Sequence, residues 1–348
     1  MAEQYVTRLA DYKPSGRKVG DKRVAIGIDL DGCVDNGMEK HLLAFGTASI
    51  KHFGMQMIQG HAMDAWMFVN CYSKSAGITR FKAVYMWTDV LRESPIVQAM
   101  GVKVPELKYL RRWANEVTQK FSPEALYQYL ADGDLSGVVK NDGDRAAAFK
   151  ELHDIWEWSN QVNALVPSAT ENISAFPNAV KVIRRAHDMG ADLAIASGTP
   201  EQHVKTMVQR YGIDDCLQGL FAQQAGKKHQ TLITLMAGPV QEYNGPLFPG
   251  IQPQYDALLM IGDAPKDYKE LKGANGILTG DENNPGRMFM VKVGGQNESW
   301  GVLDKVLDDI CSGTWDRAQE DELIQEALKN LDRRFPFDSP INRFPLNE

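Results

Sequence analysis

The decisive stretch of this chain reads Lys22-Arg23-Val24-Ala25-Ile26-Gly27-Ile28-Asp29-Leu30-Asp31-Gly32. Its first seven residues form a short apolar run rich in β-branched side chains, which is typical of a buried strand. Similar runs follow at 192–196, 257–261 and 287–293, and helical patterns such as 179–189 and 201–211 lie between them. Strands that alternate with helices predict an α/β fold with a parallel sheet and helices on both of its faces.

The segment between the first strand and the others has a different character. Residues 55–172 are rich in Met, Trp and Tyr, and their pattern is helical without alternating strands. We therefore predict a discontinuous core that is interrupted by a mainly helical insertion. The predicted parts are a polar extension at 1–20, an α/β core at 21–36 and 174–315, the insertion at 37–173, and a C-terminal helix and tail at 316–348.

Composition sets the broad class. The 348 residues correspond to about two domains at roughly 150 residues each. A hydrophobic share of 43% and a charged share of 24% are ordinary for a globular protein, which excludes a mainly disordered or fibrous chain. No apolar run approaches the ~20 residues of a membrane span, and the first residues carry no secretory signal. A net charge of −7 disfavours nucleic acid, and four scattered cysteines predict a reducing, cytoplasmic location.

Two carboxylates follow the first strand. Ligands of open parallel sheets bind at the carboxyl ends of the strands, so Asp29 and Asp31 are candidates for chemistry. One aspartate at a strand end can act as a nucleophile in phosphoryl transfer. A second one, two residues later, can donate a proton to a leaving oxygen and later activate water. The alternative interpretation is that both aspartates merely cap a turn or a helix.

Three further motifs are candidates for the same site. Two of them follow a strand, as Asp29 and Asp31 do, and the third carries the opposite charge. Ser197-Gly198-Thr199 follows the second strand and offers hydroxyl and N–H groups to an anion at a helix N-terminus. Asp263 and Asp267 follow the strand at 257–261, and carboxylate oxygens suit Mg²⁺. Lys227 and Lys228 can neutralise a carboxylate cluster and a phosphoryl group. The alternatives are plain helix caps for the first two motifs and a solvated basic turn for the lysines.

The insertion contains a cationic loop. No acidic residue lies between Asp64 and Asp89, whereas Lys74 and Arg80 lie there among Ser, Gly and Thr residues. This loop is a candidate for binding an anionic group of a substrate, with an ordinary solvated connection as the alternative.

The order of these motifs resembles the haloacid dehalogenase superfamily. The resemblance is to its phosphatase and phosphomutase branch, such as phosphoglycolate phosphatase and β-phosphoglucomutase, and it covers the core. It implies a Rossmann-like core with an inserted helical cap, and His41 matches a histidine near the start of that cap. Cys33 and Asn36 depart from the residues common in that branch, and the insertion is larger than its typical cap.

The resemblance also implies roles for individual residues. Asp29 would be the nucleophile, Asp31 the general acid and base, and Ser197 a phosphoryl ligand. Lys227 would be the orienting lysine, with Lys228 as the alternative. His41 would contact the substrate, and it joins Gly198, Thr199, Lys74 and Arg80, which the residue patterns described above make candidate substrate contacts. Mg²⁺ would be held by Asp29, by the main-chain carbonyl of Asp31 and by Asp263, with support from Asp267.

These observations together predict a Mg²⁺-dependent phosphatase. Its partner would be a small phosphorylated metabolite, with neither nucleic acid nor membrane involved. A phosphomutase of the β-phosphoglucomutase type is the alternative, followed by a non-catalytic phosphate-binding protein. Asp31 argues against carbon–halogen cleavage, because the dehalogenating relatives lack this aspartate. Assembly of an oligomer through the C-terminal helix is left open.

Overall fold

The computed structural model describes residues 5–140, 144–238 and 254–331, and it divides into two compact units. The core unit comprises the chain up to Gly37 together with Ser174–Asn330, and the inserted unit comprises Met38–Ile173. These limits lie within one residue of the predicted limits of the insertion. The predicted tail beyond residue 331 and residues 1–4 of the predicted extension lie outside the described residues.

The core unit is built on a parallel sheet of five strands. The strands are β1 (Val24–Ile28), β2 (Asp192–Ala196), β3 (Leu217–Phe221), β4 (Ala257–Gly262) and β5 (Arg287–Met290), in the spatial order β3-β2-β1-β4-β5. Ile28, the last residue of β1, is in register with Ile195 of β2 and Ile261 of β4. Every residue of β1 and β2 is buried, as expected for strands that are covered on both faces. The predicted α/β fold is therefore confirmed.

Among the residues described, the inserted unit contains helices joined by loops and no strand. Its helices are α1 (Met38–Lys40), α2 (Thr47–His52), α3 (Gln59–Met67), α4 (Arg80–Glu93), α5 (Pro95–Ala99), α6 (Lys108–Arg112), α7 (Pro123–Asp132) and α8 (Arg145–Thr170). Single π-helical turns extend α1, α3 and α6. Trp66, Trp87 and Trp158 are fully buried at its centre. The ring of Trp66 meets the other two edge-on at centroid distances of 5.7 and 6.3 Å.

In the part of the core unit that the structure describes, six α-helices pack with the sheet. They are α9 (Pro177–Met189), α10 (Glu201–Tyr211), α11 (Lys228–Ala237), α12 (Pro265–Thr279), α13 (Gln296–Ser312) and α14 (Arg317–Leu331). Val24, Ile26 and Ile28 face a cluster that α9, α10 and α13 share. On the opposite face, a Cβ added at Gly27 would lie 3.1 Å from the Leu232 side chain of α11. The predicted helices on both faces of the sheet are thus present.

The two ends of the chain reinforce the edges of the sheet. Val6 exchanges backbone hydrogen bonds with β3, at 3.1 Å to the carbonyl of Gln218 and 2.8 Å from the amide of Leu220. The predicted polar extension therefore adds a contact to the sheet instead of lying free. At the other edge, Glu320 of α14 accepts a 2.8 Å hydrogen bond from the amide of Met288 in β5. Among the described residues, none of the helices combines the length and the apolar character that crossing a membrane requires.

Candidate active site

Asp29 is held by the centre of the sheet. Its amide donates to the carbonyl of Ile261 on β4 at 2.9 Å, so the ladder that pairs β1 with β4 continues to this residue. The residue is 7% exposed, and Oδ1 accepts a 2.9 Å hydrogen bond from the amide of Leu30. The position of the carboxylate is therefore fixed by the backbone of the two strands.

Lys228 provides the positive charge beside Asp29. It is the first residue of α11, and its Nζ lies 2.8 Å from Oδ1 of Asp29 and 2.6 Å from Oδ1 of Asp267. Lys227 immediately precedes the helix and is exposed. The prediction of Lys227 as the lysine of the cluster is thus wrong, and the alternative, Lys228, is the residue in place. Consecutive residues at a helix start point in different directions, so only one of the two can face the strand ends.

Asp263 and Asp267 complete a carboxylate cluster after β4. Asp29, Asp263 and Asp267 each offer an oxygen, and these oxygens all lie within 4.8 Å of one another. Asp267 is 1% exposed, and its Oδ2 also accepts from the amide of Ala264 at 3.1 Å. The close approach requires glycine at two positions. A Cβ at Gly32, whose φ is +79°, would lie 2.8 Å from Asp263, and one at Gly262 would lie 2.6 Å from Asp267.

The charges in this cluster are unbalanced. Three carboxylates face the single ammonium group of Lys228. Burial raises the pKa of Asp29 to about 7, and the negative charge of Asp267 acts in the same direction while Lys228 opposes it. Burial likewise raises the pKa of Asp263 well above its ordinary value, with Asp29 contributing. Such a set of buried oxygens suits a divalent cation, which would restore the balance of charge.

Asp31 meets the loop that follows β2. The hydroxyl of Thr199 donates to Oδ2 of Asp31, and the amide of Thr199 donates to Oγ of Ser197 at 3.1 Å. Ser197 is 4% exposed, whereas Gly198 is exposed and has open space where a side chain would be. The predicted residues of this loop therefore lie together with Asp31 at one edge of the sheet. Thr199, which was predicted as a substrate contact, is the residue that reaches Asp31.

The remaining predicted substrate contacts lie in the inserted unit. His41 and Arg80 both lie against the ring of Phe45, the imidazole at a centroid distance of 5.2 Å and the guanidinium at 4.9 Å. Arg80 also donates to Oδ1 of Asn163 at 2.6 Å, and burial lowers its pKa to about 10. Lys74 is exposed in the segment before α4. A role for these three side chains in binding substrate stays a prediction.

Four residues near the cluster were missed by the sequence analysis. His229, next to Lys228, forms a 2.6 Å contact from Nδ1 to Oε2 of Glu270 on α12. Asp35 and Tyr211 are joined by a 2.6 Å hydrogen bond beneath the loop that carries Asp31. Asp35 follows Asp29 and Asp31 closely in the sequence, and this proximity is a signal that points to it. Nothing in the local sequence marks Tyr211, His229 or Glu270.

The fold and the cluster define a class of protein: an α/β enzyme that gathers its reactive carboxylates at the carboxyl ends of parallel strands. The model of the haloacid dehalogenase-like hydrolase family matches residues 25–275, and the chain belongs to that family. This confirms the resemblance at the level of the superfamily. The match spans β1, β4 and the motifs discussed above.

Comparison with solved structures gives a more distant similarity. One is described as the crystal structure analysis of a dehalogenase with intermediate complex, and it is 12% identical in sequence. The alignment covers 77% of this chain and 84% of the other, with a TM-score of 0.31. No curated protein matches the chain in sequence.

Proposed function

We propose that this hydrolase is a Mg²⁺-dependent phosphatase of a small phosphorylated metabolite, with Asp29 as the covalent nucleophile. The observation that carries the proposal is the arrangement around Asp29. Both hydrogen-bonded contacts of its carboxylate, from Leu30 and Lys228, go to Oδ1. Among the described residues Oδ2 has no such contact, so this oxygen is free to attack phosphorus.

The first chemical step follows from this arrangement. Oδ2 of Asp29 bonds to phosphorus while the bond from phosphorus to the ester oxygen breaks, and Asp31 gives the leaving oxygen a proton. Lys228 compensates the negative charge that the carboxylate and the phosphoryl group bring together. Thr199 orients Asp31 through its hydroxyl. The second step reverses the proton transfer: water loses a proton to Asp31, attacks phosphorus, and releases phosphate and the free Asp29 carboxylate.

The donor set fits Mg²⁺. Asp29 and Asp263 would hold the ion together with the main-chain carbonyl of Asp31, and Asp267 would support them. The raised pKa values of Asp29 and Asp263 support this assignment, because burial, together with the neighbouring carboxylates, disfavours their charged forms and a bound cation would stabilise those forms. When bound, Mg²⁺ neutralises charge on the phosphoryl oxygens.

Asp31 also separates this proposal from carbon–halogen cleavage. An alkoxide leaving group needs a proton, whereas a halide leaves without one. An aspartate that is held beside the nucleophile by Thr199 therefore favours ester hydrolysis. A phosphomutase would use the same residues and differ in the fate of the phosphoryl group.

The test is a phosphate-release screen over a panel of phosphorylated metabolites, with Mg²⁺ and with EDTA. We expect at least one substrate whose turnover needs Mg²⁺ and falls to background in Asp29→Asn. The matched control is Asp308→Asn on α13, where the exposed aspartate pairs with Arg185. Turnover that persists in Asp29→Asn would exclude the covalent mechanism. A phospho-enzyme that accumulates without phosphate release, seen by intact mass, would favour the mutase.

A further inference from the structure

Asp35 is a buried carboxylate in the loop that carries Asp31. It is 1% exposed, and both of its oxygens accept hydrogen bonds. Oδ1 accepts from the amide of Gly32 at 3.1 Å, and Oδ2 accepts from the hydroxyl of Tyr211 at 2.6 Å. One side chain thus links the turn after Asp31 to a helix that is 176 residues away in the sequence.

Tyr211 is the last residue of α10, and the loop with Thr199 precedes the same helix. Burial raises the pKa of Tyr211, and the charge of Asp35 adds to this effect. Its hydroxyl therefore stays protonated and acts as the donor to Asp35. The segment 199–211 consequently contacts the catalytic loop twice, once at each end, through Thr199 to Asp31 and through Tyr211 to Asp35.

The backbone around Asp35 is also fixed. The carbonyl of Cys33 accepts from Nε1 of the buried Trp300 at 2.8 Å, and the carbonyl of Val34 accepts from the amide of Phe176 at 2.8 Å. Asp35 forms an antiparallel bridge with Ala175, where the chain returns to the core unit. The amide of Gly32, which turns directly after Asp31, is held by a side chain instead, and that side chain belongs to Asp35.

We propose that Asp35 and Tyr211 are positioning residues that fix the turn at Asp31-Gly32 and so hold the Asp31 carboxylate in place for proton transfer. This inference rests on the proposed function, in which Asp31 protonates the leaving oxygen. Loss of the Tyr211 hydroxyl lets the Asp35 side chain reorient and loosens the Gly32 amide. The consequence is a catalytic defect that grows as the leaving group becomes a poorer one.

The chain offers a matched pair of variants. Tyr211→Phe removes the hydroxyl that binds Asp35. Tyr255→Phe removes an equivalent one, because Tyr255 also donates to a buried aspartate at 2.6 Å, namely Asp192. Asp192 is the first residue of β2, so this second pair lies at the opposite end of the sheet from the site. Both variants lose one buried tyrosine–aspartate hydrogen bond, and Tyr255→Phe also loses the 2.7 Å hydrogen bond between Tyr255 and Tyr12. Only Tyr211→Phe touches the catalytic loop.

The first readout is turnover of p-nitrophenyl phosphate and of phenyl phosphate, which differ mainly in how much their leaving oxygen needs a proton. Tyr211→Phe is expected to lower kcat for phenyl phosphate about tenfold and to affect kcat for p-nitrophenyl phosphate much less. The expected loss is smaller than the whole contribution of a general acid, because Asp31 itself is still present. KM should stay within about twofold, because the substrate contacts are untouched. Tyr255→Phe should leave both rates near wild type.

The second readout does not depend on the reaction. Amide hydrogen exchange of the peptide that spans residues 29–37 should accelerate in Tyr211→Phe and not in Tyr255→Phe. Equal exchange in both variants, or equal losses on both substrates, would overturn the proposal. If the wild-type protein turns over neither these two esters nor any member of the metabolite panel, the proposed function has failed, and the exchange of this peptide still decides whether Asp35 and Tyr211 position the loop.

Discussion

At the scale of the residue, a shift of one position along the chain determines which lysine reaches the carboxylates of the site. Two adjacent lysines have the same charge and nearly the same place in the sequence. Only Lys228 reaches Asp29 and Asp267, and its neighbour is exposed to solvent. The spacing between motifs in the sequence does not distinguish Lys227 from Lys228. Which of the two faces Asp29 depends on the direction in which α11 starts.

This difference gives a direct test. Lys228→Met should lower kcat of the phosphatase reaction by about 100-fold or more, because an electrostatic contact to the reacting group is lost in a buried site. Lys227→Met removes the same charge from the exposed neighbour and should stay within about twofold of wild type. Steady-state kinetics of both variants make the comparison. Similar losses in both variants would show that net charge matters and the contact with Asp29 does not.

At the scale of the element, two side-chain contacts join α11 to α12, and the amide of His229 adds a 3.2 Å hydrogen bond to Oε2 of Glu270. Lys228 pairs with Asp267, and His229 pairs with Glu270, which lies on the same side of α12. The first contact belongs to the site, and the second lies beside it. We infer that the second contact helps to keep α11 in the orientation that points Lys228 at the strand ends.

Glu270→Gln tests the second contact through its pH dependence. Hydrogen bonding to His229 lowers the pKa of Glu270, so the folded state favours the charged carboxylate. The stabilisation is therefore present above the ordinary pKa of about 4.5 and is lost as the pH falls through the lower folded value. At pH 7 the variant should lose about 0.5–1 kcal/mol of unfolding free energy, measured with urea.

The loss in Glu270→Gln should shrink as the pH is lowered toward 4. The exposed Glu322 on α14 provides a control, and Glu322→Gln should change stability little at either pH. A deficit in Glu270→Gln that does not change with pH would assign its effect to packing and not to the charge of the carboxylate.

Two elements differ from the sequence analysis. The strand β3 was not predicted, because Leu217-Gln218-Gly219-Leu220-Phe221 is short and is broken by a polar residue and a glycine. Its edge is completed by Val6, which comes from the segment that was predicted to be a polar extension. The strand β3 and the segment around Val6 escape prediction for the same reason. Backbone pairing between segments far apart in the sequence stabilises both, and local sequence patterns do not show such pairing.

At the scale of the whole molecule, the carboxylates and the lysine of the candidate site all belong to the core unit. We therefore expect Mg²⁺ to stabilise this unit by mass action. An Mg²⁺ concentration of about 100 times its Kd should add about 2.7 kcal/mol to the unfolding free energy. Thermal unfolding with and without Mg²⁺ measures the effect, and isothermal calorimetry gives the Kd.

Asp263→Asn should abolish this stabilisation. Without Mg²⁺ the variant should be at least as stable as wild type, because burial raises the pKa of Asp263 and disfavours its charge. The control is Asp281→Asn, which alters an exposed residue after α12 and should keep the response to Mg²⁺. An undiminished response in Asp263→Asn would contradict the metal site proposed for Asp29 and Asp263.

The parallel α/β core, the limits of the helical insertion and the carboxylates that follow β1 and β4 can all be predicted from local patterns of residues. These features are local, because apolar runs, the glycines that end helices and the residue after a strand are each defined within a few positions. Parallel strands then bring their carboxyl ends to one edge of the sheet. Three contacts become visible only in the folded chain, namely those of Lys228 with Asp29, Thr199 with Asp31 and Tyr211 with Asp35. Such contacts depend on the direction of a side chain and on the packing of segments far apart in the chain, and no short stretch of sequence contains either.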